Sequence, residues 1–231
     1  MRAMILAAGR GERMRPLTDV TPKPLLPVGG KPLIVWHIER LVASGIREIV
    51  INHAWLGEQI ETTLGDGTRY DASIRYSAES PALETAGGIA RALPLLGQAP
   101  FLVVNGDTWC DWNPGRAPVI ADRLLTQRKL AWLLLADNPA HHRTGDFILG
   151  DAGNVSDRAT RSDTPALTFT GIGIYQPSLF DAIDPSLPAP LAPLLRKAMA
   201  QDGVVGSHYN GCWIDVGTPQ RLSELDQSLQ R

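Results

Sequence analysis

The segment Leu6-Ala7-Ala8-Gly9-Arg10-Gly11-Glu12-Arg13-Met14-Arg15-Pro16-Leu17-Thr18 gathers small residues and arginines in one short stretch. Glycine admits backbone dihedrals that other residues resist, and successive backbone amides can then form a concave nest for an anion. Arg13 or Arg15 can add the charge-assisted hydrogen bonds that phosphate accepts. Further on, Lys23 stands between Pro22 and Pro24, so its backbone is stiff and its direction preset. Two later stretches, Val103-Val104-Asn105-Gly106-Asp107 and Trp213-Ile214-Asp215-Val216-Gly217, each run a short apolar strand into a carboxylate beside a glycine. Magnesium takes hard oxygen ligands, commonly one or two carboxylates with the rest from water and substrate phosphates. An anion nest, a poised lysine and two acids point together to chemistry on a phosphate ester with a divalent cation.

Each feature alone has a plainer reading. The glycine loop could be a tight surface turn, Lys23 a solvated lysine, and Asp107 and Asp215 turn-capping acids. The loop is no Walker A motif, because no Gly-Lys-Ser or Gly-Lys-Thr follows, and it lacks the full Gly-x-Gly-x-x-Gly fingerprint of a dinucleotide fold. His37, His53, His141, His142 and His208 show no His-Glu-x-x-His spacing, so packing or surface roles are expected for them. Cys110 and Cys212 lack zinc-site spacing and read as small hydrophobes in a reducing compartment. The six tryptophans read as core, although Trp109 and Trp112 lie just beyond Asp107.

Short apolar runs alternate with longer amphipathic ones, the pattern of βαβ units on a largely parallel sheet, so the fold class is α/β. Strands are expected at Ala3 to Ala8, Glu48 to Asn52, Ser73 to Ser77 and Phe101 to Asn105. Helices are expected from Pro32 to Gly45, Trp55 to Leu64 and Thr85 to Leu96. In open α/β sheets ligands bind beyond the carboxyl ends of the strands, where Gly9, Asn52 and Asp107 stand. After about Gly115 the pattern loosens into a helix near Val119 to Thr126, a strand at Ala131 to Ala136 and hairpin-like segments around Asp146 to Leu149 and Thr168 to Tyr175. Helices at Leu191 to Ala200 and Pro219 to Gln230 follow. The chain reads as one domain, 1–231, in two halves, 1–115 and 116–231, the second ending in the last helix.

At 231 residues and 44% hydrophobic the chain can bury a core without disulfides. A net charge of -2 gives no general attraction to nucleic acid or anionic lipid, so small-molecule partners are expected. The apolar start is too short for a signal peptide and no run approaches a membrane span, which makes the cytoplasm the default location.

Taken together, the Leu6 to Arg13 loop with Arg15-Pro16-Leu17-Thr18, Pro22-Lys23-Pro24, Asn105-Gly106-Asp107 and Trp213-Ile214-Asp215-Val216-Gly217-Thr218-Pro219 resemble the sugar-1-phosphate nucleotidylyltransferase family. The resemblance spans nearly the whole chain and implies a Rossmann-like fold working with magnesium: a mixed, mostly parallel sheet flanked by helices with a small sugar-binding subdomain, the half at 1–115 binding the nucleotide and the half at 116–231 the sugar. It implies that Gly11, Glu12 and Arg13 bind a nucleoside triphosphate, that Lys23 contacts phosphate in the reacting complex, and that Asp107 with Asp215 holds the metal. Arg13, Lys23 and Asp107 would then be the catalytic groups. Ala8, Gly9, Glu79 and Gly88 would frame the nucleobase. On the sugar 1-phosphate side it implies Asn105, Asp146 in Thr144-Gly145-Asp146-Phe147, and Gly171 in the segment Phe169 to Tyr175. Many relatives have a Glu-Lys pair where Val155-Ser156-Asp157-Arg158 stands here, which makes Arg158 a candidate substrate contact. Within the family, the compact length and Asp146 after Gly145 resemble the branch that uridylylates N-acetylmuramic acid 1-phosphate with UTP. Glucose- or mannose-1-phosphate enzymes using UTP, dTTP or GTP, and a non-catalytic sugar-nucleotide-binding homologue, stand as alternatives. The pattern does not speak to oligomeric state.

Overall fold

The structure is a computed structural model that describes residues 1–158 and 164–230. Its centre is a seven-stranded sheet. Four strands are parallel neighbours: β1 (Ala3–Leu6), β4 (Glu48–His53), β5 (Ser73–Ala78) and β6 (Phe101–Asn105). The sheet continues beyond β6 through β11 (Thr168–Tyr175), β8 (Ala131–Ala136) and the edge strand β12 (Val204–Tyr209). β11 is antiparallel to both of its neighbours, and β12 runs parallel to β8.

The apolar runs are buried on both faces, with alternate residues going to opposite cores. Ile5, Ile49, Ile51, Leu102, Val104, Trp132 and Leu134 face one layer, made by α1 (Leu33–Ala43), α2 (Gly57–Leu64) and α4 (Ala117–Thr126). Met4, Val50, Phe101, Val103, Leu133 and Leu135 face the other, made by α3 (Glu84–Leu96) and α5 (Leu191–Met199). A third cluster joins Met14, Leu26, Val28 and Leu33 to Trp109, Val216 and to Leu222 and Leu225 of the last helix, α6 (Pro219–Leu229). It fastens the loop that carries Arg13 to the strand end that carries Asp215.

Three small ribbons complete the fold: β2 (Pro27–Val28) with β3 (Lys31–Pro32), β9 (Phe147–Leu149) with β10 (Val155–Asp157), and β7 (Thr108–Cys110) with β13 (Trp213–Asp215). No helix among the described residues is long and apolar enough to cross a membrane.

Several elements differ from the pattern-based expectation for local reasons. β1 stops at Leu6 rather than Ala8 because the Ala7 amide donates to the side-chain oxygen of Asn52, at 2.9 Å, instead of to a strand. The α2 helix starts at Gly57 rather than Trp55, since Leu56 is left-handed at φ 51°. Pro32 precedes α1 and belongs to β3. The Thr168 to Tyr175 segment, expected to be hairpin-like, is a strand of the main sheet, antiparallel to both β6 and β8. Its register shifts between Phe169 and Gly173, around Gly171 at φ +80°.

Candidate active site

Leu6 is in register with Asn52 on one side and Asn105 on the other, so the carboxyl ends of β1, β4 and β6 finish abreast. Above them opens a cavity of about 450 Å³ lined by Ala8, Gly9, Gly11, Glu12, Arg13 and Lys23, with Asn52, Glu84, Asn105, Asp107 and Gly217 among its other walls.

The loop is built to leave one arginine at the cavity. Gly11 sits at φ +70°, and its carbonyl accepts from the Met14 amide and from the Thr18 hydroxyl, at 2.9 and 2.8 Å. A side chain at Gly11 would meet Thr18 and Lys23. Arg10 lies over the Trp55 ring at 3.6 Å and donates to Thr18 and Asp19, while Arg15 also donates to Asp19. These contacts stiffen the outer loop, and Arg13 lines the cavity.

Behind one wall of the cavity runs a chain of hydrogen bonds with fixed polarity. Asn52 accepts from Ala7, so its amide nitrogen must donate, and it does so to Glu79 Oε1 at 2.6 Å. The other oxygen of Glu79 accepts from the Leu83 amide at 2.8 Å. Glu79 is only 5% exposed and does not line the cavity. Gly88 packs against it, since a Cβ there would lie 2.5 Å from Glu79 Oε1. Both therefore back the wall, and the residues lining it nearby are Ala82, Glu84 and Thr85. Glu79→Gln should lower stability by about 1–3 kcal/mol, because an amide cannot accept from both donors and one buried group is left unsatisfied. Urea unfolding with an unchanged midpoint would show instead that the chain is open to water.

The two acids meet through backbone pairing. β7 and β13 are antiparallel with Thr108 opposite Asp215, and the Val216 amide donates to the Asp107 carbonyl at 3.0 Å. Lys23 is 6% exposed, and its ammonium donates to Asp107 Oδ2 at 2.7 Å. Asp215 Oδ2 accepts from Arg221 Nη1 at 2.6 Å, with His141 Nε2 at 3.3 Å. Among the described residues no group of three or more His, Cys, Asp or Glu side chains gathers for a metal. The pair nonetheless fits a magnesium ion, which asks the protein for only one or two carboxylates. In each acid the hydrogen-bonded partner sits on Oδ2 alone.

His37 supports this ribbon from beneath, its Nε2 donating to the Thr108 carbonyl at 2.7 Å. Burial pushes its pKa down from 6.5 to about 4, against the raising effect of that hydrogen bond. The folded state thus binds this proton more weakly than the unfolded chain does. Its contribution is fully present above pH 6.5 and is lost as pH falls from about 6.5 towards 4. The loss should amount to about 3 kcal/mol of unfolding free energy, and His37→Gln should flatten that part of the profile. Chemical denaturation at a series of pH values measures both.

The sugar-side candidates divide. Asn105 lines the cavity, and Gly171 packs on its amide so closely that a Cβ would collide with it. Asp146 is committed to structure: one oxygen accepts from the Phe169 amide at 2.8 Å and the other contacts His142 Nε2 at 3.0 Å. Arg158 is exposed and donates to the Thr144 carbonyl at 3.2 Å. Neither Asp146 nor Arg158 lines the main cavity. Asn52, Glu84, Gly217, Arg221 and His141 are the residues of this region that local motifs leave out or underrate. Asn52 had a signal in its place at a strand end, Gly217 in the motif that carries Asp215, and Glu84 in its place between Glu79 and Gly88, whereas Arg221 and His141 had none.

A Rossmann-like sheet, an anion-type loop with a cavity-facing arginine, and a buried lysine paired to one of two adjacent acids define a phosphate-handling transferase. The family model described as "Nucleotidyl transferase" matches residues 2–231, and the chain belongs to that family. It is 55% identical over 225 residues to an N-acetylmuramate alpha-1-phosphate uridylyltransferase of Neisseria meningitidis serogroup B, covering 97% of this chain and 96% of the relative. It is 35% identical to a relative of the same name from Caulobacter vibrioides, over 94% of this chain and 92% of that one. A Bacillus anthracis structure named as a glucose-1-phosphate thymidylyltransferase, in complex with sucrose, superposes with a TM-score of 0.84 at 23% identity. That match covers 100% of this chain and 95% of the other, and it bears on the fold alone.

Proposed function

We propose that the chain transfers a uridylyl group from UTP to N-acetylmuramic acid α-1-phosphate, giving the UDP-sugar and pyrophosphate in the recycling of peptidoglycan. The observation that carries this reading is the convergence of Arg13, Lys23 and the Asp107 end of the β7–β13 ribbon on one cavity. The choice of uridine and of this sugar leans on the two relatives that bear that name. The reading entails a cytoplasmic enzyme with small-molecule substrates.

In the reaction an oxygen of the sugar phosphate attacks the α-phosphorus in line, and the bond to the bridging oxygen of pyrophosphate breaks. The nucleophile is already ionised, so no general base is needed. The chain's work is positioning and charge neutralisation. Arg13 steadies the leaving pyrophosphate, Lys23 offsets charge on the α-phosphate oxygens, and the loop amides after Ala8 and Gly9 hold the triphosphate. Asp107 and Asp215 would hold magnesium, which supplies charge neutralisation on phosphate oxygens. Asn105 borders the sugar with Gly171 packed behind its amide, and Asp146 acts from outside the cavity by holding the backbone at Phe169.

A matrix of UTP, dTTP, GTP and CTP against N-acetylmuramic acid, glucose, mannose and N-acetylglucosamine 1-phosphates, read by pyrophosphate release with magnesium, tests the reading. UTP with N-acetylmuramic acid 1-phosphate should give the highest kcat/KM. A higher value for another pair reassigns the substrates, and silence throughout leaves a binding protein.

A further inference from the structure

We propose that Arg221 is a positioning residue for Asp215, turning one carboxylate oxygen towards Gly217 at the edge of the cavity, and that His141 braces it from the turn leading to the sugar side. The inference rests on the reading of Asp107 and Asp215 as the metal-holding pair and adds a residue to it.

Arg221 lies in the first turn of α6 and reaches back to Asp215 Oδ2, at 2.6 Å, across the Gly217-Thr218 link. Its own Nε donates to the Thr218 hydroxyl at 3.3 Å, so the guanidinium is held at two points. Both side chains are largely buried, at 17% and 21% exposure. Rotation of a carboxylate about its last bond is soft, and a planar guanidinium gripping one oxygen is a natural way to fix it.

The other oxygen then has a defined direction. A Cβ built on Gly217 would lie 3.1 Å from Asp215 Oδ1, 3.2 Å from Arg13 Nη2 and 2.5 Å from Arg221 Nη2. Asp215 Oδ1 and both guanidinium groups therefore converge on a spot that glycine keeps open, and Gly217 lines the cavity. With Oδ2 taken by Arg221, Oδ1 is the oxygen presented there. His141 Nε2 lies 2.7 Å from Arg221 Nη1. It belongs to the same turn as His142 and Asp146, which is tied at its far end to Phe169. The sugar-side turn and the acid thus share one guanidinium.

Outer groups that orient metal ligands typically contribute tenfold to a hundredfold in metal affinity. A bystander cation would do the reverse, since removing it would tighten the site. Mn²⁺ titrated into the full chain, with free aquo ion followed by electron paramagnetic resonance, separates the two. Arg221→Gln should weaken Mn²⁺ binding by about tenfold or more, and the magnesium needed for half-maximal rate should rise in parallel while kcat at saturating magnesium stays closer to wild type. Arg221→Lys keeps the charge without the fork and should weaken binding as well. His141→Gln, at an exposed position, should shift affinity in the same direction by less. Unchanged or tighter Mn²⁺ binding in Arg221→Gln, with binding lost in Asp215→Asn, overturns the proposal and leaves the metal pair standing. Unchanged binding in Asp215→Asn removes the metal reading itself. If Arg221→Gln does not fold, as judged by its thermal transition, His141→Gln decides, and wild-type affinity there overturns the proposal.

Discussion

Asp107→Asn should lower the turnover number by about a hundredfold or more while leaving the fold nearly as stable as before. Asp107 is delivered by a tight turn: Gly106 donates to the Leu6 carbonyl at 2.8 Å, and a Cβ at Gly106 would lie only 2.6 Å from that oxygen. The Asp107 carbonyl is pinned by Val216, and its side chain, 40% exposed, reaches the cavity. An asparagine oxygen can still accept from Lys23, so the buried ammonium keeps a partner. What disappears is the negative charge that would hold a divalent cation. Asp107→Ala removes the acceptor as well. It should cost about 1–3 kcal/mol on top of the same loss of turnover, because the ammonium is left unsatisfied. Pyrophosphate release and urea unfolding on both variants separate the effects. Near-normal turnover in Asp107→Asn would take Asp107 out of the reaction.

The strands that carry the site were legible because they are buried on both faces. Phe101-Leu102-Val103-Val104 and Trp132-Leu133-Leu134-Leu135 are unbroken apolar runs, and the structure sends their alternate residues into two different cores. β12 carries little sequence signal because it is an edge strand, and its Gly206-Ser207-His208 stretch has the polar, low-propensity composition that protects edges. The extended character of β11 is legible in its composition, but its pairing with β6 and β8 is not, since composition does not say which neighbours a strand will pair with.

The site divides in the same way. Asp107 and Asp215 lie at strand ends beside glycines, a local signal, whereas their adjacency depends on a ribbon between residues more than a hundred positions apart. The three loop arginines look alike in sequence. Trp55 and Asp19 distinguish them by engaging Arg10 and Arg15 and leaving Arg13 at the cavity. Glu79 carried a motif position yet serves as a buried brace, because the polarity of Asn52 is set by Ala7, seventy-two residues upstream of Glu79 in the chain. Arg221 and His141 could not have been paired from sequence, being eighty residues apart with no motif between them.

Lys23→Met should move two measurements in opposite directions. Turnover should fall by about a hundredfold or more, since the ammonium is the cation nearest the reacting phosphate in this reading. Mn²⁺ binding to the protein without nucleotide should tighten. The reason is that Lys23 already holds Asp107 Oδ2 at 2.7 Å, so an arriving cation competes with a covalently tethered one. Methionine fills the buried stem without charge, so the change is expected to spare the fold. Half-exposed as Asp107 is, the competing pair is worth on the order of 1 kcal/mol, or about a fivefold gain in metal affinity on its removal. Lys23 then has two stations, on Asp107 when the site is free and on phosphate when nucleotide and metal have arrived. Turnover near wild type would exclude Lys23 from the chemistry. Unchanged Mn²⁺ affinity would mean that the ion pair opens at no cost and that only the second station matters.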